Sequence, residues 1–417
     1  MLPDKYVIEK PERFYEKTRF HPKTHDTCII ILNYNNKASI LKLAGYLRDV
    51  DADVLMVDNH SGDGSFDALY AEYADRYNLI RTRENLGGAG GFGLGIQWVV
   101  ERGYDYCFVS EEDALPVSGD EDIFVEMLKY RAPDRFVVAR YFELDVNSFN
   151  LHYTIYPSWL IKEAGTLNMG LFFRADDQEW GERVRRRARQ SGRQMETVRV
   201  ARSYTHPLIK KGFGLFANYF SMRNAFLVYL KYPNRHFLVD YTFNFVKYFS
   251  YGLFCLLYDG NPWPMRQFAV AYLDFLKEDL THNKERIATL GQALLEPKQT
   301  YRMQTCDFDT FYRRFADRKI VSDSMRNPHF LVYRFASSAK KGVIAGKYSG
   351  VSRLKALWFR RIVFVEHVDF MQRRIEYFEY ENRGWLWARA LLLFSTALGA
   401  IGAGVTWPVT FVKRWRG

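Results

Sequence analysis

The sequence predicts an α/β fold, with a mostly parallel sheet at the front of the chain and an α-helical, membrane-associating region behind it. Three observations support this prediction. Short apolar runs alternate with segments of helical spacing in the first half, as expected for a parallel sheet built from crossover units. Polar clusters follow several of these runs, at the strand ends where such sheets bind ligands. Near the end, Ala390 to Val412 carries no charge and is bracketed by basic residues.

The apolar runs and the segments between them give the domain organisation. The runs predicted as strands are Thr27–Leu32, Asp53–Val57, Leu79–Thr82 and Tyr104–Val109. We predict an N-terminal extension over 1–26, an α/β domain over 27–230, a helical domain over 231–384 and a membrane-associated segment over 385–417. Within the helical domain, Gln267–Leu294 and Leu354–Tyr380 are predicted as long helices.

Composition narrows the class of protein. Apolar residues make up 48% of the 417 residues and aromatic residues 17%, which excludes a disordered chain. The net charge of +11 favours anionic partners such as phosphorylated substrates or lipid headgroups. The four cysteines form no CxxC pair, so we expect reduced thiols and no zinc ribbon. The charged N-terminus has no apolar signal-peptide core, so we expect the front of the protein to stay in the cytosol.

Two polar segments after predicted strands are candidate nucleotide contacts. Asp58 begins the segment DNHSGDGS, which is either a capped turn or a carboxylate that faces a ribose or base. The segment NLGGAGGFG, from Asn85 to Gly93, is predicted as a phosphate- or sugar-binding loop ahead of a helix. Its Gly88, Gly90 and Gly93 also match G-x-G-x-x-G, which leaves a dinucleotide-dependent oxidoreductase as an alternative.

Two acidic segments are candidates for metal binding and catalysis. Glu111, Glu112 and Asp113 end a strand, and Glu111 and Asp113 could offer oxygens to Mg²⁺ or Mn²⁺; the alternative is a solvated acidic turn. Asp176 and Glu179 have the spacing of a capping box at the start of a helix. A carboxylate at that rigid position could equally act as a general base. The arginines that follow, from Arg183 to Arg193, are predicted to lie on an exposed helix.

His206 follows another predicted strand. A lone histidine is more often structural, but here its nitrogen could complete a divalent-metal site that carboxylates begin.

Taken in order, these segments resemble the family-two GT-A glycosyltransferases, especially the galactofuranosyl- and rhamnosyltransferase-like branch. The stretches that carry the resemblance lie over about residues 27–230: IIILNYNN, VDNHSGDGS, NLGGAGGFGLG, SEEDALP, FFRADDQEWGERV, His206 and YFSMRN. One departure concerns the metal: the family usually has Asp-Asp-Asp where this chain has Glu111-Glu112-Asp113.

The resemblance implies a role for each matching residue. Donor binding would fall to Asn33, Tyr34, Asp58, Asn59, Arg83, Asn85, Gly87, Gly88, Gly90, Gly91 and Glu112. Glu111, Asp113 and His206 would hold Mn²⁺ or Mg²⁺. Asp177 would be the general base of an inverting displacement, and Asp176, Glu179 and Trp180 would shape the acceptor site.

The expected function is transfer of a sugar from a UDP- or dTDP-sugar to a hydroxyl of a lipid-linked glycan or polysaccharide, in cell-envelope glycan assembly. The expected location is the cytoplasmic side of the cell membrane. We expect no nucleic-acid partner, because no DNA-binding motif accompanies the basic residues, and a homo-oligomer is possible. A non-catalytic scaffold of the same fold remains a second alternative, because the carboxylate triplet is altered.

Overall fold

The computed structural model describes residues 2–117, 119–141, 151–205, 214–232, 237–281, 302–315, 319–320, 343–346, 361–369, 374–381, 383 and 385–415. The chain divides into two compact units, Leu2–His206 and Pro207–Gly417. The boundary lies before the segment 214–230, which forms the end of the domain predicted over 27–230.

The first unit is built on a nine-stranded sheet in the residues described. Its strands are β1 (Tyr15–Arg19), β2 (Thr27–Asn33), β3 (Asp53–Asp58), β4 (Asn78–Thr82), β5 (Tyr106–Glu111), β6 (Leu115–Pro116), β7 (Arg135–Tyr141), β8 (Thr154–Pro157) and β9 (Glu196–Thr205). Their order across the sheet is β1-β4-β3-β2-β5-β8-β7-β9-β6. The four central strands β4, β3, β2 and β5 run parallel, as do β7 and β9, whereas β1, β6 and β8 are antiparallel to their neighbours.

This sheet confirms the predicted α/β class with a mostly parallel sheet. Every residue of β2 is buried, as a central strand covered by helices on both faces requires. Because β4, β3, β2 and β5 are parallel neighbours, their carboxyl ends meet at one edge of the sheet. Thr82, Asn33, Asp58 and Glu111 end these strands and therefore lie along that edge.

Six helices pack around this sheet in the described residues: α1 (Lys37–Tyr46), α2 (Ser65–Tyr73), α3 (Gly87–Glu101), α4 (Ile123–Leu128), α5 (Ser158–Ala164) and α6 (Asp176–Gln190). The apolar side chains of α1, α2 and α4 join those of the sheet in one core cluster. The helix α3 packs on β2 through glycines, which allow its backbone to come close to the strand.

The predicted N-terminal extension is an integral part of the first unit. Strand β1 pairs with β4 and is the outermost strand on that side of the sheet. The backbone N–H and carbonyl of Ile8 both bond to the side-chain amide of Gln97, at 2.7 and 2.8 Å. Thr166 donates its N–H to the carbonyl of Tyr6 at 2.8 Å. These contacts fix the start of the chain against α3 and the segment before α6.

The second unit contains a group of long helices and a separate sheet. The described helices are α7 (Gly214–Lys231), α8 (Phe237–Asp259), α9 (Trp263–Lys277), α10 (Phe308–Arg314) and α11 (Trp385–Trp415). The described strands are β10 (Gln304–Asp307), β11 (Lys319–Ile320), β12 (Val343–Gly346), β13 (Arg361–Asp369) and β14 (Arg374–Glu381). They form one sheet in the order β10-β14-β13-β12-β11.

The helix predicted over Leu354–Tyr380 is wrong in the part that the structure describes. The antiparallel strands β13 and β14 occupy that segment. Their buried residues alternate, with Val363 and Val365 on one strand and Ile375 and Tyr377 on the other. This period of two is the signature of a strand with one covered face.

The C-terminal apolar helix that the sequence predicts is present as α11. Its segment Leu386–Pro408 is long and apolar enough to cross a membrane, and 28% of its apolar window is buried. All four cysteines are free, and Cys28, Cys107 and Cys255 are buried, which agrees with the predicted reduced thiols.

Candidate functional site

A hydrogen-bonded cluster joins the ends of β2 and β3. The Asn33 amide donates to Asp58 Oδ2 at 2.8 Å and to Ser61 Oγ at 3.2 Å, and the Ser61 N–H donates to Asp58 Oδ1 at 2.9 Å. Asn33 and Asp58 are buried. Each oxygen of the Asp58 carboxylate therefore already accepts a hydrogen bond within the protein. Through these bonds Asp58 fixes the conformation of the loop after β3.

The same cluster holds two groups that a ligand could contact. Asn33 Oδ1 is buried and has no hydrogen-bond partner in the described part of the chain. A buried acceptor without a partner calls for an explanation, and a bound ligand is one. Tyr34, the next residue, is 41% exposed and offers an aromatic ring at this edge. Asn35, with a φ of 53°, accepts from the Gly62 N–H at 2.7 Å and closes the loop over the cluster.

Asn59 ties the end of β3 to the start of α3. Its amide nitrogen donates to Asn85 Oδ1 and to the Gly87 carbonyl, both at 3.0 Å, and its Oδ1 accepts from the Leu86 N–H at 2.9 Å. Asn85 Oδ1 also accepts from the Gly87 N–H at 2.8 Å. The two predicted donor-binding asparagines therefore fix each other and the first turn of the helix.

The loop predicted over the glycine run is wrong, because α3 begins at Gly87 and contains these glycines. A methyl group on Gly91 would come within 2.3 Å of Leu32 Cδ1, and one on Gly90 within 2.4 Å of Leu86 Cβ. The glycines allow the helix to pack closely on β2 and on its own first turn. Gly88 is different: a methyl group there would contact only the Asp176 carboxylate, at 3.6 Å. The run follows β4 rather than the central strand β2, which is not the placement of a dinucleotide fingerprint.

Arg83 and its neighbour Arg81 have different surroundings. Arg83, a predicted donor ligand, donates its Nε–H to the Arg13 carbonyl at 3.1 Å and so contacts the N-terminal segment. Arg81 was not singled out from the sequence, yet its Nη2 donates to the Ser61 carbonyl at 3.2 Å. Its Nε also pairs with Glu16 at 3.0 Å. Arg81 is thus the arginine that touches the loop after β3.

The acidic triplet lies at the end of β5. Glu112 and Asp113 are buried, and the Glu112 N–H donates to the Leu32 carbonyl at 3.0 Å. Glu111 is partly exposed, and its Oε2 lies 3.9 Å from His152 Nδ1. The alternative interpretation of this triplet as a solvated acidic turn is therefore wrong for Glu112 and Asp113, because both are buried.

The described residues contain no group of three histidine, cysteine or acidic side chains close enough to hold a metal ion. The predicted third ligand, His206, lies outside the described residues. Glu111 and Asp113 still supply the hard oxygen donors that Mg²⁺ prefers. In nucleotide sites this ion takes one or two carboxylates, and substrate phosphates and water complete its shell. The residues present fit a metal held in that way.

Asp176 and Asp177 begin α6 and share their surroundings with Glu111. Burial, the Asp177 charge and the Glu111 charge raise the pKa of Asp176 to about 8. Burial also raises the pKa of Asp177, and Glu111 adds to that rise, while His152 and Arg174 act against it. Carboxyl groups from the end of β5 and the start of α6 therefore lie in one electrostatic environment. The resemblance assigns Glu111, Asp176 and Asp177 to one site, which stays a prediction. His152 was not singled out, because a lone histidine carries no signal of its own.

The turn before Asp176 has an unusual backbone. Phe172, Arg174 and Ala175 have φ values of 61°, 67° and 58°. Each such residue costs about 1 kcal/mol or more, and conformations of this kind concentrate at functional sites. Because Ala175 precedes the first residue of α6 and forms no side-chain cap, the predicted capping box is wrong.

Glu179 and Trp180 face the interior. Glu179 and Arg183 form a bidentate ion pair, with N···O distances of 2.7 and 2.9 Å, and both are buried. Trp180 is buried and donates its Nε1–H to the Gly165 carbonyl at 2.9 Å. This burial argues against direct acceptor contact and gives both residues the task of fixing the start of α6. It also corrects the prediction that Arg183 is exposed.

Comparison with known proteins gives one partial match in sequence. No protein-family model matches the chain. An undecaprenyl-phosphate mannosyltransferase of Micrococcus luteus is 39% identical over 90 residues, which cover 20% of this chain and 36% of that enzyme. The match therefore spans little more than a third of the relative's length.

Two solved structures are similar at low scores. One is a mannosyltransferase from Pyrobaculum calidifontis in complex with GDP-Man and Mn²⁺, which is 15% identical, with 69% of this chain and 87% of that chain covered and a TM-score of 0.39. The other is a putative nucleotide-diphospho-sugar transferase from Desulfovibrio desulfuricans, which is 11% identical, with 44% and 82% covered and a TM-score of 0.27. Both TM-scores are too low for the likeness to define the fold or the reaction of this chain.

Proposed function

We propose that this protein is an inverting, metal-dependent glycosyltransferase. It transfers a sugar from a nucleoside-diphosphate donor, UDP- or dTDP-linked, to a hydroxyl of a lipid-linked glycan or polysaccharide. The observation that carries the proposal is that the Asp176 carboxylate lies against Gly88 in the first turn of α3, while the charge of Glu111 raises the pKa of both Asp176 and Asp177. Glu111 also ends a strand that is a parallel neighbour of β2. A site for sugar transfer needs a surface at the strand ends that binds the nucleotide, and it needs a carboxylate nearby that accepts the proton of the acceptor hydroxyl.

Donor binding is assigned to the edge formed by the ends of β2 and β3 and by the start of α3. Tyr34 offers its exposed ring to the base, and the unpartnered Asn33 Oδ1 accepts from a donor group of the nucleotide. Asp58, Asn59 and Asn85 fix the loops that make this surface. Gly88 leaves room between the first turn of α3 and the Asp176 carboxylate.

Glu111 and Asp113 would hold the divalent metal. The metal supplies Lewis-acid stabilisation of the charge that develops on the leaving diphosphate. Glu112, which precedes Asp113 and is buried, fixes the backbone of the turn on β2. His206 stays the proposed third ligand. Glutamate at position 111 reaches one methylene further than the aspartate of the family, so we expect Mn²⁺ and Mg²⁺ to support different rates.

The general base is assigned to Asp177. The oxygen of the acceptor hydroxyl attacks the anomeric carbon of the donor sugar, and the bond between that carbon and the diphosphate breaks. The proton of the acceptor hydroxyl passes to the Asp177 carboxylate. Burial raises the pKa of both Asp176 and Asp177, and the charge of Asp177 raises that of Asp176 further. We therefore assign a retained proton to Asp176. Asp176 is the more buried of the two, whereas Arg174 favours the charged form of Asp177. A raised pKa also makes Asp177 a stronger base once it is ionised.

The acceptor is proposed to be carried by a lipid, on the cytoplasmic side of the cell membrane. Two observations support association with a membrane, on either side: α11 is long and apolar enough to cross a membrane, and the partial relative is named an undecaprenyl-phosphate mannosyltransferase. The name of that relative also makes mannose a donor sugar to test and a polyprenyl phosphate an acceptor to test. The galactofuranosyl or rhamnosyl specificity stays a proposal that rests on the resemblance alone.

The test is release of nucleoside diphosphate by the full-length protein, with UDP-, dTDP- and GDP-sugars offered in turn, with and without Mn²⁺. We expect one donor class to be consumed in a Mn²⁺-dependent way. Asp177→Asn should lose at least about a thousandfold in turnover, within the range typical of a general base, while donor binding and the unfolding midpoint change little. Gln178→Ala, an exposed neighbour, is the matched control. Turnover retained in Asp177→Asn would remove this residue from its role.

A further inference from the structure

The helix α11 has its buried and exposed faces inverted relative to a helix of a water-soluble protein. Its buried positions form one stripe: Ala388, Leu391, Leu392, Ser395, Gly399 and Ala403. After Leu392 this stripe consists of small residues. The large apolar side chains point outward instead: Leu386, Trp387, Leu393, Phe394, Ile401 and Val405 are each more than half exposed.

The buried stripe faces α8, and the two helices run antiparallel. Ser250 Oγ donates to the Ser395 carbonyl at 3.1 Å near one end of the contact, and Trp407 Nε1 donates to Thr242 Oγ1 at 3.1 Å near the other. Between them, a methyl group on Gly399 would lie 3.3 Å from the Val246 Cα atom. Small residues thus bring the two backbones close together, which is how helices associate when the surroundings are as apolar as their side chains.

Two threonine hydroxyls of α11 have hydrogen-bond partners, whereas the hydroxyl of the buried Ser395 has none in the described part of the chain. Tyr241 and Thr406 join their hydroxyls at 2.9 Å, and Thr396 donates to the Leu392 carbonyl of its own helix at 2.7 Å. In hydrocarbon such bonds stabilise polar side chains, because no water can replace the partner. The outward surface from Ala390 to Pro408 carries no charge, so it lacks the polar face of a helix that lies in the plane of an interface.

The ends of the helix complement an anionic bilayer. Arg389 precedes the uncharged stretch, and Lys413 and Arg414 follow it in the sequence. Tryptophans stand near both ends, at Trp387 and Trp407, where amphipathic rings favour the headgroup region. The apolar segment of 23 residues also matches the thickness of a bilayer core.

We propose that the outward face of α11 inserts into the hydrocarbon of an anionic lipid bilayer while α8 covers its small-residue stripe. The membrane-bound element is therefore the α8–α11 pair and not an isolated span. This inference rests on the membrane location in the proposed function, but it requires neither donor nor acceptor. The partner is lipid because a surface this apolar and this free of charge has no favourable contact with water.

The test is flotation of the full-length protein with vesicles of phosphatidylglycerol and phosphatidylcholine at high salt. The wild type should float with the vesicles, because insertion of apolar surface survives screening of charges. Ile401→Glu together with Val405→Glu should reduce the floated fraction at least tenfold. The matched control is Val7→Glu together with Val125→Glu, which also adds two glutamates in place of exposed β-branched residues, here in the first unit, and should float like the wild type.

A second variant covers the case in which the glutamate pair fails to fold. Brominated acyl chains should quench the fluorescence of the wild type more than that of Trp387→Phe, because Trp387 is exposed at the end of the inserted face. Equal flotation of the glutamate pair and the wild type would overturn the proposal. The proposal would also be overturned if the wild type did not float but formed dimers, and if the two glutamate substitutions dissociated those dimers. A second copy of the chain, and not lipid, would then cover the outward face of α11. Flotation without any transfer activity would leave this proposal standing and remove the proposed function.

Discussion

The first turn of α3 gives the sharpest prediction, because a single methyl group at Gly87 meets two separate obstacles. Gly87 has a φ of 70°, and a Cβ there would lie 2.0 Å from the Phe172 carbonyl oxygen, where ordinary contacts begin at 3.4 Å. That oxygen belongs to the backbone and already accepts from the Ala89 N–H at 3.1 Å. It cannot move aside as the end of a flexible side chain could.

The magnitude of Gly87→Ala follows from these two terms. A non-glycine residue with a left-handed backbone costs about 1 kcal/mol. Overpacking against fixed atoms adds roughly 1–3 kcal/mol. We therefore expect the free energy of unfolding of the first unit to fall by about 2–4 kcal/mol. The substitution should also weaken donor binding, because the Gly87 carbonyl accepts from Asn59.

The matched control is Gly103→Ala. Gly103 has nearly the same φ, 73°, and a Cβ there would have no atom within 4 Å. It should cost about 1 kcal/mol, the backbone term alone.

The assay is thermal unfolding of both full-length variants. At roughly 2–4 °C per kcal/mol for a unit of this size, Gly103→Ala should lower the midpoint by about 2–4 °C and Gly87→Ala by about 4–16 °C. Equal midpoints for the two variants would refute the reasoning, because the contact with Phe172 would then have no energetic consequence.

Two further predictions concern charged groups of α6. Burial and the neighbouring carboxylates raise the pKa of Asp176 to about 8, against about 3.9 in an unfolded chain. The folded protein therefore retains this proton to a higher pH than the unfolded chain does. The stabilisation of the folded state by this proton is complete below about pH 4 and is lost as the pH rises toward 8. The free energy of unfolding then falls by at most about 1.4 kcal/mol per pH unit. Asp176→Asn should remove most of this fall in urea-unfolding midpoints between pH 5 and pH 8; an unchanged pH profile would count against the raised pKa. Arg183→Leu should lower the free energy of unfolding by about 3–5 kcal/mol, because it leaves the buried Glu179 carboxylate without its cation. Arg189→Leu, on the exposed side of the helix, should cost no more than about 1 kcal/mol; similar losses in both arginine variants would contradict the interpretation of the buried pair.

Much of the candidate site at the carboxyl ends of the strands could be predicted from the sequence, because buried apolar runs end abruptly in polar residues. Asn33, Asp58 and Glu111 were all placed at strand ends in this way, and the structure has them there. The resemblance then placed Asp176 and Asp177 at the same site. Spacing and residue type carry this information because a parallel sheet brings its carboxyl ends together.

Other features could not be predicted, because they depend on contacts between distant segments. The glycines of α3 were interpreted as a phosphate loop, since the Leu32 and Phe172 atoms that they accommodate are invisible in the sequence. Arg81 reaches the loop after β3 only because β4 lies beside β3. Glu179 was assigned to a capping box and to the acceptor site, whereas it forms a buried ion pair with Arg183.

The strands β13 and β14 were missed for a local reason. The segment is long and rich in charges and aromatic residues, which favoured a helix, while the alternation of its buried residues was overlooked. The N-terminal segment was underestimated because its attachment relies on backbone groups, such as those of Ile8 and Tyr6, which leave no mark on the sequence.

The central claim is that one pocket holds a pyrophosphate beside Glu111 and the Asp176–Asp177 pair. The most direct test is calorimetric titration of the protein with the nucleotide sugar that it consumes in the release assay. We predict binding of a nucleoside-diphosphate sugar that strengthens when Mn²⁺ is added and loses that dependence in Glu111→Gln, with Glu121→Gln, an exposed carboxylate in the same unit, as the control. Binding of NAD(H) in its place, or Mn²⁺-dependent binding that Glu111→Gln leaves intact, would contradict the account.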